Sequence, residues 1–134
     1  MPFDHSTSSS ASGSLGVFRA LAALLAALVL VQAALAGQFL FGEEGARGIH
    51  RLIGISLSVV AVVVFAQGWR VRRTNSASFL LSLLLLGLVI AATGLGFAGR
   101  KEASVAALHI PVAVATFGVA VAAAVLDRPR ASYR

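Results

Sequence analysis

Hydrophobic residues along this chain fall into four long runs separated by short polar breaks. The runs extend from about Leu15 to Phe41, Ile49 to Trp69, Phe79 to Phe97 and Ala103 to Leu126. Each is close to or above the roughly 20 residues an α-helix needs to cross the hydrocarbon of a bilayer. The breaks, Gly42 to Gly48, Arg70 to Ala77 and Ala98 to Glu102, are too short to let successive helices run in the same direction. The pattern therefore predicts an all-α, integral membrane, antiparallel four-helix bundle over residues 15–126. A Ser-rich polar tail, residues 1–14, is expected to be flexible, and a basic tail, residues 127–134, to follow the last span. Ala34-Leu35-Ala36 before Gly37 imitates a signal-peptidase site. Cleavage is not expected, because the preceding run is longer than a usual signal h-region and carries Arg19 as its sole cation.

Composition agrees with this class: 58% of residues are hydrophobic, 12% are charged and the mean hydropathy is +0.91, values outside the range of soluble domains of this length. One bundle uses up the 134 residues, which leaves no room for a separate catalytic domain. The chain contains no cysteine, which excludes disulfides, iron–sulfur clusters, thiolate zinc sites and thioether-linked haem. Its net charge of +6 comes from cations that flank the apolar runs, as contacts with lipid headgroups require, so nucleic acid is not an expected partner.

Those cations also set an orientation. Arg19, Arg70, Arg72, Arg73, Arg128, Arg130 and Arg134 fall on one side and Arg47, Arg51, Arg100 and Lys101 on the other. The larger group is retained in the cytoplasm during insertion, so both termini are expected there, in a bacterial cytoplasmic membrane. Trp69 beside the arginine run fits an interfacial anchor.

Two histidines stand inside the apolar runs. Nineteen residues separate His50 from Trp69 at the end of its run, and seventeen separate His109 from Leu126. Helices two and four run in the same direction, and at a rise of 1.5 Å per residue the imidazoles should differ in height by only about 3 Å, near the outer face. An ionisable residue at membrane depth is costly unless it has a partner or a function. Two neutral imidazoles on diagonal helices, with no thiolate and no carboxylate in a span, suit haem b held by bis-histidine ligation. A lone zinc ion needs three or four ligands, and the remaining histidine, His5, lies in the N-terminal tail on the other side. Gly54 one turn from His50, Ala113 one turn from His109, and Gly94, Gly96 and Gly99 on helix three offer room for a flat ligand, or simply close helix packing. Arg51 is placed to pair with a propionate or to reach the interface. Gln38 is a candidate for a ligand edge, and Gln32 for a bond between helices. Pro111 is expected to adjust the helix that carries His109.

The stretches Gln32-Ala33-Ala34-Leu35-Ala36-Gly37, Ile49-His50-Arg51-Leu52-Ile53-Gly54 and Leu108-His109-Ile110-Pro111 resemble one half of haem A synthase. The chain is also similar to small four-helix bacterial membrane proteins with a His-Arg-x-x-Gly motif. The resemblance implies His50 and His109 as haem ligands and Arg51 as a propionate neighbour. It does not carry the synthase activity: the family's glutamate falls on Arg47, its outer-loop cysteine pair is missing, and a single half lacks the second unit.

The resulting expectation is a haem b-binding membrane protein that transfers electrons, or serves as an accessory subunit in a membrane redox complex, with no catalytic activity of its own. Quinone is a subsidiary ligand, hydrogen-bonded by histidine and arginine near the interface. The alternative is a cofactor-free structural or assembly subunit whose histidines only join helices. A proton-coupled transporter is disfavoured, since no acidic residue lies within a span.

Overall fold

The computed structural model describes residues 6–126, with side chains from residue 13 onward. His5 and the tail 127–134, with Arg128, Arg130 and Arg134, lie outside the described residues. Four helices account for nearly all of the chain: α1 (Ser6–Leu40), α2 (Glu44–Val71), α3 (Ser76–Ala98) and α4 (Ala103–Val125). Each packs against its sequence neighbours and α1 also packs against α4, which closes an antiparallel ring with α2 and α4 on one diagonal. All four are long and apolar enough to cross a membrane. Large apolar side chains such as Leu30, Leu52, Val59, Leu80, Ile110 and Val114 point outward. In water this surface would drive aggregation, whereas lipid solvates it, so the protein is an integral membrane protein.

The turns explain why the helices stop where they do. At the end of α1, Gly42 adopts φ +107°, the left-handed region that costs a side chain most. There the Glu43 amide donates to the Gln38 carbonyl at 3.0 Å and the Gly42 amide to the Phe39 carbonyl at 3.3 Å, the two bonds of a Schellman motif. At the start of α3, the Asn75 side chain accepts from the Ser78 amide at 3.1 Å, which satisfies a donor that the helix itself cannot. Helix α1 begins at Ser6, nine residues before Leu15, where the apolar run starts. The helix thus runs past the apolar stretch through Ser, Thr and Gly residues of low intrinsic helix propensity.

Burial is uneven along the bundle axis. The core consists of Phe18, Ala22, Leu25, Ala26 and Val29 on α1, Leu57, Ala61 and Val64 on α2, Leu85 and Val89 on α3, and Ala120 and Ala123 on α4. All of these belong to the half nearer the chain termini or to the middle of the bundle. In the distal half, which holds the α1–α2 and α3–α4 turns, Ala46 is the one fully buried hydrophobic residue among those described. Buried apolar side chains thus gather in the terminal half and the middle, and the distal half has few of them.

Small residues permit close helix packing in the terminal half. A Cβ built on Gly68 of α2 would overlap the Ser82 Oγ and lie 2.7 Å from the Ser82 Cβ of α3, so the two backbones approach as only glycine permits. Arg19 closes the same end: its Nε donates to the Ala124 carbonyl at 3.0 Å and ties α1 to the last turn of α4. A guanidinium suits that position because carbonyls without helical partners collect at a helix C-terminus.

Candidate functional site

His50 is the seventh residue of α2 and His109 the seventh of α4. Since both helices start at the distal end and run parallel, equal position in the helix means equal depth. The structure brings the rings together across the diagonal, with centroids 6.2 Å apart and planes inclined at 66°.

Each imidazole is held in the same way. His50 Nδ1 bonds the Gln32 carbonyl of α1 at 3.1 Å, and His109 Nδ1 bonds the Ala92 carbonyl of α3 at 2.8 Å. A carbonyl oxygen can only accept, so Nδ1 carries the proton in both rings. In the neutral tautomer this leaves the Nε2 lone pair available. It is the arrangement of a metal-ligating histidine, whose second nitrogen is fixed by a backbone carbonyl or carboxylate. The partner carbonyls lie eighteen and seventeen residues upstream, each on the preceding helix. The two hairpins therefore present their histidines in near-equivalent fashion.

Aromatic and cationic side chains surround the pair. Phe39 meets the His50 ring edge-on at 5.3 Å. The Arg47 guanidinium lies 5.6 Å from the Phe39 ring centre and 4.0 Å from Glu44. Arg51 stacks over Phe97 at 5.7 Å. The distal rim thus carries two guanidinium groups above the histidines, each steadied on an aromatic face. The His109 ring rests against Gly96, where a Cβ would approach it to 3.4 Å.

Between the histidines and the apolar core lies a polar layer. Ser58 and Thr93 share a hydrogen bond of 3.3 Å between α2 and α3. The Gln32 amide lies over Gly54, close enough that a Cβ there would come within 2.9 Å of its nitrogen. The Gln32 Oε1 is buried without a hydrogen-bond partner. An orphaned buried acceptor is costly, and it marks the place where a donor or a water belongs.

The residues singled out from sequence are placed as follows. His50 and His109 meet, and Gly54 sits beneath His50 with the Gln32 amide filling the space over it. Arg51 is on the distal rim against Phe97, and Ala113 is half-buried one turn from His109. Gln38 is exposed at the end of α1, where its backbone carbonyl takes part in the helix stop. Sequence reasoning did not find Phe39, Phe97 or Arg47 as neighbours of the site. Their positions near the same ends of the apolar runs were a usable signal. The two carbonyl partners carry none, because any residue supplies a carbonyl.

The site contains two imidazoles: among the described residues no group of three or more His, Cys, Asp or Glu is gathered to hold a metal ion. Two protein ligands suit a metal that brings the rest of its coordination with it. The observed 6.2 Å between ring centroids is close to the separation that two imidazoles would need to share one metal ion through bonds of about 2 Å. Comparison with protein-family models, with curated proteins and with solved structures finds no match to this chain.

Proposed function

We propose that this is a haem b-binding membrane protein of the bacterial cytoplasmic membrane, in which His50 and His109 would hold the haem iron, and that it passes electrons within or beside a membrane redox complex. The observation that carries the reading is the pairing of two Nδ1-anchored imidazoles at equal depth, 6.2 Å apart. The Gln32 and Ala92 carbonyls fix the tautomer and aim of each ring, so the ligands are pre-organised. Arg47 and Arg51 place positive charge at the rim, where acidic groups at a ligand edge would be neutralised. The core from Val29 and Leu57 inward excludes water from below. An iron porphyrin held there by the His50 and His109 imidazoles would supply one-electron redox chemistry. In this reading both termini are cytoplasmic, as the excess of Lys and Arg on their side favours, and the histidines lie near the outer face. Quinone is the partner molecule that the interfacial arginines would accommodate.

The test is a haemin titration of the detergent-solubilised full chain. One equivalent should give a low-spin Soret spectrum, and His50→Ala or His109→Ala should each abolish it while the helical circular dichroism stays unchanged.

A second reading rests on the same hydrogen bonds. Each histidine also ties two helices together, His50 joining α2 to α1 and His109 joining α4 to α3. A cofactor-free assembly subunit would need no more than this. It predicts no haem uptake by the native chain, and altered stability or assembly in the same two variants.

A further inference from the structure

The opposite end of the bundle carries a second feature that the histidine site does not use. Val62, Phe65, Ala66, Trp69 and Arg70 line a shallow, wide-open groove along α2. These positions recur at intervals of three and four, so they form one helical stripe. The groove arises because Ala66 leaves a gap beside Phe65 and Trp69. Its wall is stiff: Phe65, Trp69 and Phe79 pack mutually with centroids 5.6 to 6.1 Å apart. Arg72 lies 4.2 Å over the Trp69 ring and donates to the Trp69 carbonyl at 2.8 Å.

Length and charge identify the occupant. From Val62 to Arg70 the stripe runs about 12 Å along the helix axis. One leaflet of hydrocarbon is roughly 15 Å deep, half the bilayer core. A groove of that reach takes an acyl chain from a single leaflet. Arg70 lines its mouth and Arg73 lies three residues on, in the turn that follows α2, both exposed and, among the described residues, without an ion-pair or hydrogen-bond partner. Arg72 is already engaged with Trp69.

We propose that this groove is a site for one acidic phospholipid, its acyl chain along Val62, Phe65, Ala66 and Trp69 and its headgroup phosphate on Arg70 and Arg73. The site is independent of the haem reading, since it lies at the other end of α2. Attraction of an anionic lipid by a basic residue near the surface corresponds to about fivefold in affinity per arginine.

Native mass spectrometry of the full chain tests this with dioleoylphosphatidylglycerol and dioleoylphosphatidylcholine as probes. The acidic lipid should be retained at least about fivefold over the zwitterionic one. The paired change Arg70→Gln and Arg73→Gln should abolish that preference. Ala66→Trp fills the groove without altering charge and should release both lipids. Equal retention of the two lipids by the native chain would overturn the proposal. So would an acidic-lipid adduct that survives Ala66→Trp, because charge alone would then hold it. Preferential retention of decylubiquinone over both lipids would overturn it in favour of a quinone site. Both altered surfaces are exposed, and far-ultraviolet circular dichroism checks that the variants keep the bundle.

Discussion

The close approach of α2 to α3 at Gly68 is the feature of the bundle most open to a quantitative test. A side chain at this position meets the Ser82 Cβ at 2.7 Å and the Ser78 carbonyl at 3.2 Å. The Ser82 hydroxyl can rotate away, but the Cβ and the carbonyl move only if a helix moves. Overpacking of this kind costs about 1–3 kcal/mol. Replacing a helical glycine with alanine returns up to about 1 kcal/mol of helix propensity. Gly68→Ala should therefore destabilise the bundle by about 1 kcal/mol, and Gly68→Val, with little propensity gain and two more methyl groups, by about 2 kcal/mol or more. Gly54→Ala is the internal control. Its new methyl meets only the end of the Gln32 side chain, at 2.9 Å, and an amide can swing aside. The assay is reversible unfolding in mixed detergent–SDS micelles followed by circular dichroism. A double-mutant cycle sharpens it: Ser82→Gly removes the atoms that clash, so Gly68→Ala should cost less in that background, with a coupling of about 1 kcal/mol. Additive effects to within about 0.5 kcal/mol, or a Gly68→Val protein as stable as the native chain, would refute the packing argument.

Further variants probe the other devices that hold the helices. Arg19→Gln removes the bond to the Ala124 carbonyl and should lower stability by about 1–2 kcal/mol in the same unfolding assay, since the donor is charged and partly buried. Asn75→Ala deletes the N-cap of α3 and should cost about 1 kcal/mol, whereas Asn75→Asp should recover most of it. Gly42→Ala forces a side chain into the left-handed turn at φ +107° and should cost about 1–2 kcal/mol, read as a lowered midpoint in thermal unfolding.

Hydropathy alone made the architecture legible. Four apolar runs with breaks as short as Ala98 to Glu102 admit little but an antiparallel bundle, and the chain folds as one. The level placement of His50 and His109 could also be worked out by counting residues, because depth in a straight helix is proportional to position. Other features left no trace in the residue pattern. The carbonyls of Gln32 and Ala92 are backbone groups, and their choice depends on the rotation of each helix about its axis. That rotation is set by contacts such as Gly68 against Ser82, which look in sequence like any other small residues. Gly54 suggested room for a ligand, yet the Gln32 amide occupies the space above it. The gathering of buried apolar side chains in the terminal half and the middle is likewise invisible, because Leu, Val and Ala are spread along all four helices and only their facing distinguishes core from lipid surface.

Whether the two imidazoles share one iron, as proposed, is tested most directly by low-temperature electron paramagnetic resonance of the haemin-loaded chain. With ring planes inclined at 66°, the ferric protein should give a low-spin signal of the large anisotropy produced by steeply crossed imidazoles. His50→Ala and His109→Ala should each convert it to a high-spin signal or eliminate it. A high-spin spectrum from the native chain, or a low-spin signal that persists in either variant, would contradict shared ligation by His50 and His109.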